Sequence, residues 1–228
     1  MTLERVAPGV DRWVMPEASM GAVVVADAGE ALVVDAGTLP SRAAELRAAI
    51  EARGDRIVAV AITHAHWDHC FALSAFAGLP MLAHPAAIDE LREHGEAQRT
   101  AVLGFAEPAA VDAVRALPIV LPDVPVPSRR ALRVGGIEVE LDPLGPAHTG
   151  GDLVVHVPSS GASIVGDLVE TADDPQADDS TDVTGWLRAL DALEARAQPL
   201  LVPGHGDPCG HERLAHHRAL LGGLRRRD

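Results

Sequence analysis

One stretch of this 228-residue chain concentrates metal-ligating chemistry: Thr63-His64-Ala65-His66-Trp67-Asp68-His69. Three imidazoles and a carboxylate fall within six residues, directly after the apolar run Ile57–Thr63. Neutral imidazole nitrogen and carboxylate oxygen both bind zinc, at about 2.0–2.2 Å. In an extended segment side chains repeat every two residues, so His64 and His66 point the same way and can grip one ion. A turn into a helix then redirects Asp68 and His69 toward a second ion. Left without a partner beside a buried strand, so many titratable groups would be costly.

One loop cannot complete two coordination shells. Three later positions offer the missing ligands: His148 in Pro146-Ala147-His148-Thr149-Gly150-Gly151, Asp167 in Val165-Gly166-Asp167-Leu168, and His205 in Pro203-Gly204-His205-Gly206. Glycine close to each lets backbone approach a compact site. Any one alone reads as a surface turn residue; in combination with the first loop they read as ligands.

These side chains need elements to hold them. Gly21–Ala26 and Ala31–Asp35 are β-branched runs separated by Asp27-Ala28-Gly29-Glu30, a hairpin signal. Pro40–Arg53 carries Leu46 and Ile50 at helical spacing, with Gly54 as a stop. Ile57–Thr63 reads as a buried strand, residues 68–76 as a helix and Pro80–Ala83 as a short strand. Helical pieces follow around Ala86–His94 and Pro108–Ala116, then a proline-rich stretch from Pro118 to Pro127. Residues 85–127 read equally as an insertion covering the site or as an ordinary surface connection. The second half predicts strands at Ala131–Val134, Ile137–Leu141, Leu153–Pro158 and Ser163–Val165, with turns at Gly135-Gly136 and Ser159-Ser160-Gly161. An acidic loop, Asp173 to Asp182, reads as solvated surface. Thr184–Ala197 is an amphipathic helix, Leu200–Val202 a last strand, and a terminal helix starts near Glu212. The pattern predicts two sheets packed on each other with helices outside, within one domain spanning 1–228.

Composition narrows the function. A hydrophobic share of 47% suits a buried core, built from aliphatic residues because the chain has three Trp, three Phe and no Tyr. A formal charge of −14 repels phosphate backbones and anionic membranes, which argues against nucleic-acid or membrane partners; the partner expected is a small-molecule substrate. Arg225, Arg226 and Arg227 form a basic terminus read as solvated. Two cysteines do not make a disulfide framework. Neither a signal peptide nor an apolar run of about 18 residues is evident, so a cytoplasmic location is expected. Cys70, Cys209 and the remaining histidines read as structural, with His84 the one to watch.

The HxHxDH loop, followed in order by His148, Asp167 and His205, resembles the metallo-β-lactamase fold superfamily over nearly the whole chain, from Val33 to Gly206. The resemblance implies an α+β fold, a four-layer αββα sandwich of two mixed sheets flanked by helices. It implies two zinc ions, with iron or manganese as alternatives. His64, His66 and His148 match the ligands of the first metal, and Asp68, His69 and His205 those of the second. Asp167 matches the bridging carboxylate, and Asp35 a residue supporting the ligand loop from beneath. The implied chemistry is hydrolysis by a metal-bridging hydroxide, with Asp68 also orienting it and moving its proton.

The fold does not name the substrate. Glyoxalase II relatives add a helical domain, and only 23 residues follow His205 here. Lactonase relatives often place a Tyr beside the metals. A small ester, thioester or lactone is the expected substrate. The rivals are a mononuclear iron oxygenase of the persulfide dioxygenase type and a metal-binding module without catalysis. The sequence is silent on oligomeric state.

Overall fold

The computed structural model describes residues 2–224, apart from the side chain of Glu17. The basic terminus at 225–227 lies outside the described residues.

Two sheets form the centre. The first holds seven strands in spatial order β1 (Glu4–Ala7), β2 (Val10–Val14), β3 (Gly21–Asp27), β4 (Glu30–Val34), β5 (Arg56–Ala61), β6 (Met81–Ala83) and β7 (Val124–Pro125). Its first three pairings are antiparallel and the rest parallel. The second runs β12 (Leu200–Pro203), β11 (Ala162–Gly166), β10 (Leu153–Val157), β9 (Ile137–Pro143) and β8 (Arg130–Val134). Only its β11–β12 pair is parallel.

Strand periodicity makes both faces apolar, as expected for sheets covered on each side. Val23, Val25, Leu32, Val34, Ala59 and Ala61 face the second sheet and meet Leu141, Leu153, Val155, Ile164 and Val202. The alternate residues Val24, Val33 and Val60 face outward, against helix α1 (Pro40–Ala52) and the 3-10 segment Phe71–Phe76. On the far side, Val154, Val165 and Leu201 pack on Trp186, Leu190 and Leu193 of helix α5 (Val183–Arg196). Three apolar layers between four structural layers give the αββα sandwich. Each fully buried Val or Leu in them contributes roughly 1.5–3 kcal/mol.

Local chemistry fixes the connections. Ala28 and Gly29 take positive φ (48° and 81°), the conformation a two-residue hairpin turn needs. The helix at 40–52 starts on a proline and stops before Gly54. The expected helix at 68–76 divides into α2 (Trp67–Cys70) and the 3-10 segment. The piece at 86–94 extends into a 19-residue helix, α3 (Pro85–Leu103), and 108–116 shortens to α4 (Val111–Ala116). Helix α3 runs through Gly95, where Ile119 packs so closely that a Cβ would lie 2.9 Å from its Cγ2. Among the described residues, no helix is long and apolar enough to cross a membrane.

The last helix, α6 (Glu212–Leu224), docks through buried Leu214, His217 and Leu221. The His217 Nε2 accepts the Glu170 backbone N–H at 3.0 Å, so the ring is neutral. Burial, then the charges of Arg213 and His216, lower its pKa to about 4. The unfolded chain takes up this proton near pH 6.5 and the folded chain does not, so stability falls as pH drops from about 6.5 toward 4. His217→Gln keeps an acceptor for Glu170 without a titrating group. In metal-stripped protein, its urea midpoint should therefore fall less than the parent's between about pH 7 and pH 5. Parallel falls would exclude this role.

Candidate metal centre

All seven side chains nominated from the sequence converge at one end of the two sheets. His64 and His66 sit in the loop leaving β5, while Asp68 and His69 lie in α2. His148 lies between β9 and β10, Asp167 directly follows β11, and His205 follows β12. They form two groups able to hold a metal ion: His64, His66, His148 and Asp167, and Asp68, His69 and His205. Within each group the ligand atoms lie within 4.8 Å of one another. Asp167 joins the two. Its Oδ2 is 3.3 Å from His69 Nε2, 3.4 Å from His205 Nε2, 3.6 Å from His64 Nε2 and 3.8 Å from His148 Nε2.

The outward nitrogen of every imidazole has an acceptor. Asp35 Oδ2 accepts from His69 Nδ1 at 2.9 Å and from the Thr63 hydroxyl at 2.9 Å, and Thr63 Oγ1 accepts in turn from His64 Nδ1 at 3.0 Å. His148 Nδ1 donates to the Gln176 carbonyl at 3.1 Å, and His205 Nδ1 to the Ala18 carbonyl at 2.9 Å. His66 is reversed. Its Nε2 faces Asp178 Oδ2 at 3.2 Å, leaving Nδ1 inward, 3.0 Å from His64 Nε2 and 3.1 Å from His148 Nε2. With the protons held outside, five inward lone pairs and two carboxylates face one another. That donor set demands positive charge at its centre, and it fits zinc or a similar divalent ion.

The titration behaviour agrees. Burial opposes charge on His69, but Asp167, Asp35 and Asp68 outweigh it and raise its pKa. At His205 the hydrogen bonds to Asp167 and Asp68 overcome burial and push the ring up to about 10. At His64 burial wins, reinforced by His69, and the pKa falls well below the usual range. Burial also lowers His148 to about 4. Burial raises Asp167, yet His69 and His64 hold it well below ordinary carboxylates.

Backbone geometry permits this density. Asp35 adopts φ 64°, and Thr63 N–H donates to its Oδ1 at 2.7 Å. Gly204 passes so close that a Cβ would stand 2.2 Å from Asp167 Oδ1. Any side chain there would displace the shared carboxylate.

Two contributors escaped the sequence reading. The acidic loop, read as solvated surface, supplies the Gln176 carbonyl behind His148 and the Asp178 carboxylate behind His66. Its one signal was turn chemistry: Asp178 Oδ1 accepts from Ser180 N and Oγ, which braces the loop. The structural readings hold elsewhere. Cys70 is buried with its thiol against the His66 carbonyl, and burial pushes its pKa up. His84 caps α3 by accepting from Ala86 N.

The sequence model of the metallo-beta-lactamase superfamily matches residues 21–205. The chain is 27% identical over 171 residues to metallo-beta-lactamase IND-1 of Chryseobacterium indologenes, covering 72% of this chain and 62% of that protein. It is 25% identical over 134 residues to metallo-beta-lactamase type 2 of Bacteroides fragilis, covering 56% and 53%. The chain thus spans less than two thirds of either relative. Among solved structures, a metallo-beta-lactamase from Pontibacter korlensis superposes with a TM-score of 0.75 at 18% identity, covering 96% of this chain and 98% of that one. DIM-1 metallo-beta-lactamase gives 0.76 at 20%, covering 97% of each. At such identities these two establish the fold.

Asp35→Asn tests the support beneath the ligands. Asparagine tolerates positive φ, so the backbone survives. Its single amide oxygen cannot serve both the Thr63 backbone N–H and the Thr63 Oγ1–His69 Nδ1 pair, which the two carboxylate oxygens divide between them. Chelator competition should report metal affinity about 10–100-fold weaker, with an unchanged circular dichroism spectrum. Parental affinity would show that Asp35 serves only the turn.

Proposed function

The chain belongs to the metallo-β-lactamase superfamily, and from that membership we propose that it is a zinc-dependent hydrolase of a small ester, thioester or lactone. One observation carries the reading: Asp167 Oδ2 of the first ligand group lies 3.3 Å from His69 Nε2 and 3.4 Å from His205 Nε2 of the second, and every imidazole of both groups has its outward nitrogen engaged. An ion in the first group would be held by His64, His66, His148 and Asp167, and one in the second by Asp68, His69, His205 and Asp167.

Two divalent ions, when bound, supply Lewis acidity that acidifies water toward neutrality and polarises a scissile carbonyl. The protein's share is placement and proton handling. Asp35 and Thr63 keep the His64 and His69 lone pairs aimed inward, so the ligands need no rearrangement. Asp68 Oδ2 stands 3.1 Å from His205 Nε2. Burial raises its pKa, but the His69 charge and the His205 hydrogen bond lower it further, so the group is ionised near neutrality. An ionised carboxylate there can accept a hydrogen bond from the attacking water, receive its proton and pass it to the leaving group. No covalent intermediate on the protein is required.

A second reading is favoured by the names of the two relatives: hydrolysis of a β-lactam, a strained cyclic amide open to the same attack. The same assay separates the two. Purified protein is analysed for metals and offered esters, thioesters, lactones and β-lactams. We expect two equivalents of zinc, turnover abolished by chelation and restored by zinc, and preference for the oxygen and sulfur esters. Asp68→Asn should lower kcat by about 10²–10⁴. One equivalent of iron with oxygen uptake on a persulfide would instead identify an oxygenase. Full activity after exhaustive chelation would end the metal reading altogether.

A further inference from the structure

Beside the metal centre lies an open cleft of about 880 Å³, with His66 on its inner wall. Helix α3 forms one side. Glu90, His94 and Gln98 follow one another at four-residue spacing, so they share a face. Trp67 and Phe105 form an aromatic corner, their ring centroids 5.5 Å apart in an edge-to-face arrangement. Asp179, from the acidic loop, also lines the cleft.

The polar inventory is lopsided. Glu90 is half-buried, and neither it nor Asp179 has a hydrogen bond or ion pair among the described residues. Gln98 donates through Nε2 to the Ala65 carbonyl at 3.1 Å, leaving its buried Oε1 without a partner. Against these acceptors, the lining holds no arginine, and the chain has no lysine at all. The arginines of α3 are committed elsewhere: Arg92 to Asp89, and Arg99 to Glu96 and to the Leu117 carbonyl. Phe105 is 62% exposed, unusual for a phenyl ring on so aromatic-poor a chain. Exposed aromatic rings beside unpaired carboxylates attract organic cations, through the ring quadrupole and through charge.

We infer that this cleft receives the ammonium arm of the substrate, seated on Trp67 and Phe105 and facing Glu90 and Asp179. The inference rests on the hydrolase reading only in making that cation part of a substrate. The substrate class becomes an ester, thioester or lactone carrying a protonated amine or quaternary ammonium group.

Two measurements on the metal-loaded protein test it separately from the hydrolase reading. Calorimetry compares choline with 3,3-dimethylbutan-1-ol, which has the same shape and hydroxyl but no charge. Choline should bind about 10-fold more tightly. Glu90→Gln and Phe105→Ala, a part-exposed and an exposed position, should each erode that preference several-fold while the neutral alcohol is little affected by Glu90→Gln. In turnover, acetylcholine should exceed 3,3-dimethylbutyl acetate in kcat/KM by a similar factor. Equal or inverted affinities, or a preference unmoved in both variants, would overturn the cation site. Preferential choline binding without turnover of any ester, thioester or lactone would uphold the cleft and defeat the hydrolase reading.

Discussion

The structure depends on one electrostatic constraint: five imidazole lone pairs and two carboxylates are held face to face in a largely buried cluster. Such an arrangement is unstable unless positive charge occupies its centre, because neither burial nor like-charge proximity favours it. Raised pKa values at His69 and His205 express the same demand through protons. Geometry that costs this much in the absence of a cation is geometry built around one. The outward acceptors make it specific, since each fixes which nitrogen keeps its proton.

Two sheets are needed because no single element can deliver ligands from so many directions. The ligand-bearing segments of both sheets meet at one edge, and the sheets are tied together there. Leu153 N–H donates to the Thr63 carbonyl at 2.7 Å, and Gly21 N–H to the Gly204 carbonyl at 2.8 Å. The first bond links the start of β10 to the ligand loop, and the second links β3 to the turn carrying His205. Both tie ligand-bearing segments of one sheet to the other, so the interior layer of Val, Leu and Ala sets the spacing of the metal centre. The four-layer packing is therefore part of the site's chemistry as well as its support.

Much of this was legible in the sequence, for a physical reason. The ligand loop, the β3–β4 hairpin and α1 are local patterns, decided by residue types within a few positions of each other. His148, Asp167 and His205 were legible because glycine beside a ligand is itself a local signature of close approach, as Gly204 illustrates against Asp167. What stayed hidden depends on distant partners. Nothing near Gly95 signals that Ile119 will pack against it from a distant segment. Nothing in the run 173–182 reveals that one aspartate will turn inward to meet His66, since its composition is that of a solvated loop. The resemblance to a known superfamily supplied the bridging role expected of Asp167. The structure places a single Asp167 oxygen within 3.3–3.8 Å of four imidazoles.

The supports behind the ligands divide into two kinds, and the division runs through both metal-binding groups. His64 and His69 are anchored deep, on Thr63 and Asp35, and both rings are buried. His66, His148 and His205 hang from surface segments: the acidic loop for the first two, and the Ala18 carbonyl for the third. Each group thus pairs an inner ligand set by the sheets with outer ligands set by loops. Loops vary at little cost to a fold, whereas the buried Asp35–Thr63 pair cannot change without disturbing β5 and α2 together. The cleft borders on the same acidic loop, through Asp179, and on α3. The segments that support the outer ligands are therefore also those that shape access to them.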